Sequence, residues 1–298
     1  MSVEDCWEYK EHPTLLKKIE KDRNSKAYGL IRLAILENEL YVVPLKGHEI
    51  EVYDLETLSN RKSWLIHGDV ENVEDVGSCD LNKCLYIINW IKNKRLEEIL
   101  RVDRNGMVLK RWLISEDQGR LSIAPDGEVI LTVYTKNKLN GYSPDGQLLV
   151  VVNLPSIINH PHHARKLTNC HYVVSYGSSF QTQAIHGVCI VDVDGNIIKS
   201  FCAEVGSSAV RMNHPVYLVI DKGGNILVAD LNNSRVLLLS PTLEFLREVV
   251  SEKHGLRHPR RICLDESNGR LIVACRNRGL NQTDSDVGKV LLFDVKER

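Results

Sequence analysis

The sequence predicts an all-β fold: a six-bladed β-propeller of four-stranded antiparallel blades, its ring closed by the N-terminal strand. Three observations carry that expectation. A short apolar run recurs six times, as LYVV (40–43), LYII (85–88), VILT (129–132), YVVS (172–175), ILVA (226–229) and LIVA (271–274), at intervals of 45, 44, 43, 54 and 45 residues. A repeat of about 45 residues matches one propeller blade. Each run is flanked by other short apolar strands and tight turns, with no helical periodicity. The last repeat, finally, lacks one strand, and the N-terminus carries one without a partner.

The elements follow in chain order. Residues 14–20, TLLKKIE, read as a strand with no repeat of its own. One domain of six blades is expected, at about 28–65, 73–113, 118–154, 161–203, 214–250 and 258–295. In each, a first strand leads through a tight turn to the run quoted above. A third strand comes next: IEVYDL, EILRVD, KLNGYS, VCIVDV, VLLLSP and VLLFDV. Turn residues follow, as in Asp103-Arg104-Asn105-Gly106, Asp145-Gly146 and Asp194-Gly195, because Asp, Asn and Gly accept the backbone angles of tight turns. Fourth strands RKSWLI, VLKRWLI, LLVVVNL, IIKSFCA and FLREVV end five repeats, and the sixth stops at Val295 without one. Pairing 14–20 there removes an exposed sheet edge.

Composition narrows the function classes. Lys plus Arg is 38 and Asp plus Glu is 39, so the chain is not a globally basic nucleic-acid binder, although a basic face balanced by an acidic one is allowed. No stretch reaches the roughly 18 apolar residues of a membrane span. Met1 to Glu11 is polar, with Glu4, Asp5, Glu8, Lys10 and Glu11, unlike a secretion signal. The expected location is cytoplasmic, away from membranes, and the expected state a monomer. Eight cysteines show no CxxC or Cys/His ligand spacing. Cys189 and Cys263 sit in apolar runs as buried small hydrophobes. Cys79 and Cys84 flank a tight turn as cross-strand neighbours and are expected to be thiols. No cofactor is expected.

Residues 214–250, HPVYLVIDKGGNILVADLNNSRVLLLSPTLEFLREVV, carry a Pro opening strand one, Asp-x-x-Gly at the first turn, Val-Ala-Asp, then Asn-x-Arg-Val. In this pattern the stretch resembles an NHL repeat. Residues 258–295 keep the opening but hold Cys275 in place of the Asp, and the other blades hold Pro44, Asn89, Val133 and Tyr176 there. The resemblance implies a six-bladed propeller. NHL propellers include RNA- or protein-binding ends of tripartite-motif proteins and, more distantly, the peptidyl-hydroxyglycine amidating lyase. RING, B-box and coiled-coil segments are lacking here, so ubiquitin-ligase activity is not implied. Fold alone does not fix function.

Propeller geometry sorts the loops by face. First and third turns form the bottom and hold many acids, among them Asp80, Asp103, Asp126, Asp145, Asp192, Asp194, Asp221, Asp265 and Glu266, which is ordinary turn chemistry. The top loops gather Lys92, Lys94, Arg95, Lys136, Lys138, Arg211, Lys253, Arg257, Arg276 and Arg278, with nine histidines, His48, His67, His160, His162, His163, His186, His214, His254 and His258. Tyr28, Trp90, Tyr134, Tyr176 and Phe180 are interleaved, and Asp69, Glu71, Glu74, Asp75, Glu116 and Asp117 collect beside blades two and three. Bases with stacking aromatics suit an anionic strand. A solvated loop face accounts for the charges as well.

Aligning the first strands puts Arg32, Val76, Arg120, His163, Tyr217 and Arg261 at the channel mouth, and Ala34, Ser78, Ser122, Arg165, Val219 and Cys263 two residues further along. Several guanidiniums in one throat need carboxylates or a bound anion to offset their repulsion, and Asp75, Asp117 or Asp230 are internal candidates. His-Pro recurs at His160, His214 and His258. Three such imidazoles would bind a metal if they converged, yet adjacent blades hold equivalent atoms apart, and no metal is expected. GxSxG, P-loop and Cys/His nucleophile signatures are absent. The reading is a non-catalytic recognition module binding an anionic partner, RNA or an acidic peptide or ligand, through Arg32, Trp90, Arg120, Tyr134, His163, Arg165, Tyr176, Tyr217 and Arg261. The alternative is a small-molecule enzyme of lyase, hydrolase or isomerase type, with His163 as general base beside Tyr217, Arg120 and Arg261.

Overall fold

The structure is a computed structural model describing residues 8–20, 31–44, 49–57, 59–67, 70, 72–91, 93–94, 96–114, 119–177, 185–202, 210–277 and 287–297. It is an all-β, six-bladed propeller in which each blade is a four-stranded antiparallel sheet. Blade one is β2 (Ile31–Leu36), β3 (Glu39–Pro44), β4 (Glu49–Asp54) and β5 (Asn60–Leu65); blade two is β6 (Val73–Cys79), β7 (Cys84–Ile91), β8 (Leu96–Val102) and β9 (Val108–Ile114). Blade three is β10 (Gly119–Ile123), β11 (Val129–Val133), β12 (Lys138–Tyr142) and β13 (Leu148–Asn153); blade four is β14 (Pro161–Lys166), β15 (Tyr172–Tyr176), β16 (Gly187–Val191) and β17 (Ile197–Cys202). Blade five is β18 (Pro215–Ile220), β19 (Ile226–Asp230), β20 (Arg235–Leu239) and β21 (Phe245–Val250). Blade six takes β22 (Pro259–Asp265), β23 (Arg270–Asn277) and β24 (Val287–Lys296) from the C-terminal end and β1 (Tyr9–Glu20) from the N-terminal end. The first strand of every blade is innermost, and each packs on the next around a central channel. Among the described residues helix is confined to three short 3-10 turns, and no helix is long and apolar enough to cross a membrane.

Six apolar clusters fill the wedges between neighbouring blades. The cluster joining blades one and two holds Tyr41, Val43, Val76 and Ile87; the one joining blades six and one holds Leu33, Leu40, Ile272 and Leu292. Both faces of the middle strands are therefore buried, which is why they read as unbroken apolar runs. Fourth strands face water, and Leu148, Leu149 and Ile198 are exposed.

The turn chemistry behind the sequence pattern is visible. Asp103, Asp192 and Asp221 each accept backbone N–H groups from their own turns, at 2.8–3.0 Å. In blade five, buried Asp230 accepts from Asn213 N (2.7 Å), Asn233 Nδ2 (2.8 Å) and Arg235 Nε (2.9 Å). That carboxylate ties the loop before the blade to the loop between strands two and three.

Closure is side-chain locked. β1 starts at Tyr9, earlier than the apolar run at 14–20 implies, and pairs antiparallel with β24. Tyr9 is buried and its hydroxyl donates to Asp221 Oδ2 at 3.0 Å, while Arg247 donates to the carbonyls of Tyr9 and Lys10 at 2.8 and 2.6 Å. The strand thus bridges blades five and six. Tyr9→Phe should cost about 1.5–3 kcal/mol, the worth of a buried hydrogen bond to a charged acceptor, whereas Leu16→Ala on the exposed face should stay within about 0.5 kcal/mol. Urea unfolding of the two variants measures the difference.

Candidate functional site

The pairing of inner strands decides which side chains meet in the channel. In blades four, five and six the register slips between Pro161 and His163, Pro215 and Tyr217, and Pro259 and Arg261, so one extra residue bulges after each Pro. The residue before each Pro, His160, His214 or His258, has a left-handed backbone (φ 51°, 64° and 47°) that turns the loop into the strand. Blade two slips in the same way, between Val73 and Asp75. Val73 pairs with Asn89 and Asp75 with Ile88, as Pro215 pairs with Asp230 and Tyr217 with Ala229. The blade-two member of the ring is therefore Asp75, and the alignment to Val76 is corrected by one residue. Val76 packs instead in the core between blades one and two.

The corrected ring, Arg32, Asp75, Arg120, His163, Tyr217 and Arg261, forms a plug. Asp75 is fully buried and ion-pairs with Arg261, with Arg32 Nε at 4.0 Å. Its other oxygen accepts Leu121 N at 2.9 Å. Arg32 also donates through Nε to the Glu74 carbonyl at 2.6 Å. The Arg261 guanidinium lies 4.4 Å from the Tyr217 ring centre, and Tyr217 stacks on His163 at 3.8 Å and 27°. Burial, reinforced by Arg120, pushes Arg32 down to about 9. Arg261 is likewise driven well below its ordinary value by burial and by Arg32 beside it. Arg261 Nη1 is buried without a hydrogen-bond partner among the described residues. Charge density is high here, and one carboxylate serves two guanidiniums.

His163 is fixed by the backbone. Its Nδ1 accepts from Leu218 N at 3.3 Å, so Nε2 carries the proton and donates to the Leu121 carbonyl at 3.2 Å. Burial holds the imidazole neutral, well below its ordinary pKa. Both ring nitrogens are engaged, which leaves no lone pair for the general-base role that sequence reasoning allowed.

The other expected residues separate. Arg120 is half-buried and donates to the Gly119 carbonyl at 3.1 Å. It lies close enough to half-buried Tyr134 to oppose the rise that burial gives that phenol. Trp90 is half-buried at the end of β7, on the same face. Tyr176 is buried in the core between blades three and four and does not reach the face. Arg165 lines a chamber of about 520 Å³ below the plug, together with Ala34, Ser78, Ser122, Val219 and Cys263. The one-residue correction in blade two moves that tier from Ser78 to Gly77, and both residues line the cavity. The three His-Pro imidazoles do not converge. His214 instead packs on His162 at 4.5 Å and sits 6.5 Å from His186, and no group of three ligating side chains at metal distance occurs among the described residues. Tyr28, His48, Asp69, Glu71, Lys92, Arg95, Glu116, Asp117, Phe180 and Arg278 lie outside the described residues.

These features define a six-bladed propeller with a charged, plugged channel. No family model matches the chain, and no curated protein matches it. Solved structures do. Virginiamycin B lyase from Staphylococcus aureus is similar at 11% identity and a TM-score of 0.59, over 92% of this chain and 98% of that one. A Bacteroides caccae protein of unknown function is similar at 12% identity and a TM-score of 0.58, over 77% and 84%, and Kuenenia stuttgartiensis hydrazine synthase at 10% identity and 0.55, over 86% and 79%. At such identities the likeness shows the fold alone.

Two measurements test the site's electrostatics. Asp75→Asn strands two buried guanidiniums and should cost about 3–5 kcal/mol, and adding Arg261→Met should recover part of the loss; a double-mutant unfolding cycle reads the coupling. Burial pushes His162 and His214 down to about 3 and about 4. The unfolded chain therefore takes up their protons first as pH falls below about 6.5, and stability should decline from there towards pH 4. Melting temperatures at pH 7 and pH 5 should differ less in His162→Gln and His214→Gln than in the parent.

Proposed function

We propose that this chain is a non-catalytic recognition propeller of NHL type that binds an anionic partner, an RNA or an acidic peptide, on its top face at the channel mouth, working in the cytoplasm. The observation that carries the reading is the imbalance of the ring: Arg32, Arg120 and Arg261 against one carboxylate, Asp75. Asp75 is spent on Arg261 and Arg32, so Arg120 keeps a guanidinium whose described contact is a backbone carbonyl. An anion at the rim would offset repulsion already built into the throat, and it would be gripped without reorganising the plug. Tyr134 and Trp90, both half-buried, add flat surfaces nearby. The engagement of both His163 nitrogens supports binding over proton transfer. The NHL pattern of residues 214–250 supports the same class.

Arg261 belongs to the fold as much as to the site, so Arg120 is the informative position. Arg120→Ala should weaken binding to RNA pools or acidic peptide arrays by about tenfold and lower the salt slope by about one. Tyr134→Ala should cost a further 1–3 kcal/mol, roughly, if bases stack there, and little if the partner is a peptide. Absence of binding to either class at low salt would remove the proposal.

A further inference from the structure

We infer that Cys79 and Cys84 form a redox modification site, at which hydrogen peroxide converts the two thiols reversibly into a disulfide across the β6–β7 hairpin. Cys79 ends β6, Cys84 begins β7, and the two are partners in the antiparallel ladder. Directly opposed residues project from the same face of a sheet, with Cα atoms about 4.5–5.5 Å apart. A disulfide needs about 4.4–6.8 Å, so the bond can close without moving the backbone. Both side chains turn into the core between blades two and three, and the thiols share a hydrogen bond. Among the described residues no other two cysteines are opposed in this way. Cys189 and Cys202 lie on neighbouring strands, but their partners there are Ser200 and Gly187, a diagonal too long for an S–S bond.

The pair is asymmetric, which assigns the roles. Asn82 Nδ2 donates to Cys79 Sγ at 3.4 Å. Hydrogen bonds from Cys84 and from Asn82 hold the Cys79 thiol below its ordinary pKa, while the contact with Cys79, and burial, push Cys84 up. Cys79 is therefore the thiolate that attacks and Cys84 the thiol that resolves. The Cys79 sulfur displaces hydroxide from the peroxide and becomes a sulfenic acid, and the hydroxide takes up the proton that Cys79 had lost. The Cys84 sulfur then attacks the sulfenic acid, the S–S bond forms and water leaves. Two thiols and one peroxide give one disulfide and two waters, with two electrons passing from sulfur to oxygen. Access comes through the turn. Asp80, Leu81 and Lys83 are exposed, and local opening of such a turn bares thiols that are 3% and 0% exposed when it is closed. β6 also supplies Asp75, so the modification cross-links the hairpin that carries the carboxylate of the plug.

Peptide mapping tests the assignment directly, because Lys83 lies between the two cysteines. Trypsin separates residues 63–83 from 84–92, and a Cys79–Cys84 bond holds the two peptides together. The native full chain is treated with hydrogen peroxide, its remaining thiols are alkylated in urea, and the unreduced digest is read by mass spectrometry. The linked peptides should appear at peroxide doses that also modify exposed Cys170, and dithiothreitol should return them to two free peptides. A Cys189–Cys202 link should not form. Cys84→Ser should leave Cys79 as a sulfenic acid that dimedone traps, whereas Cys79→Ser should leave Cys84 untrapped. Asn82→Ala keeps both cysteines and should slow the linkage several-fold. The inference is overturned if the native chain shows no link, if the link forms only after unfolding in urea or resists dithiothreitol, if dimedone traps Cys84 rather than Cys79, or if Asn82→Ala leaves the rate unchanged.

Discussion

The inner ring of this propeller turns on one carboxylate. Asp75 is fully buried, takes the Arg261 guanidinium, stands near Arg32 and accepts a backbone N–H from the next blade. Without it, two buried cations on the neighbouring strands β2 and β22 repel each other where the medium screens them poorly. With it, three blades are tied to the innermost strand of blade two: β2 through Arg32, β10 through Leu121 and β22 through Arg261. The remaining arc is held by different means, the His163–Tyr217 stack and two hydrogen bonds between the imidazole and backbone, one donated to the Leu121 carbonyl and one accepted from Leu218 N. Together these make a solid floor in the channel rather than an open pore. That floor separates the rim above from a chamber of about 520 Å³ below.

Much of this architecture is legible in the residue order. The repeat near 45 residues specifies blades, and the missing sixth fourth strand specifies closure, because each follows from local apolar patterning and from counting edges. The composition of the ring is legible for Arg32, Arg120, His163, Tyr217 and Arg261. Blade two escapes for a definite reason. A bulge at Glu74 inserts one residue without disturbing the apolar run on either side, so an alignment by hydrophobicity passes over it and selects Val76. The neighbouring bulges are marked by Pro161, Pro215 and Pro259, and blade two has Val73 in that position, with no such flag. A carboxylate directly beside the aligned residue, in a ring otherwise rich in guanidinium, is the signal that points to it.

Other aspects depend on rotamers and depth, which patterning does not encode. Period-two alternation places His163 on the channel side but says nothing of its neighbours, and both nitrogens prove to be engaged by backbone atoms of blades three and five. Tyr176 ends an apolar run and is buried with it, whereas Tyr134 begins a 3-10 turn and stays at the surface. The same turn-or-strand distinction separates an aromatic that packs the core from one that stays half-buried beside Arg120. His160, His214 and His258 recur because a left-handed residue before Pro aims the incoming strand, a backbone requirement that resembles a ligand set when read as side chains alone.

Blade six has a consequence for biogenesis. Its sheet is assembled from Tyr9–Glu20 and from strands that end at Lys296, and Tyr9 reaches Asp221 across 212 positions of chain. During translation β1 must wait, unpaired, until β24 has left the ribosome. Blades one to five can condense as they appear, each against its predecessor, but the circle is sealed only once β24 has been made. The lysines at positions 10, 17 and 18 suit that interval, since charge on a waiting strand discourages it from pairing with the wrong neighbour.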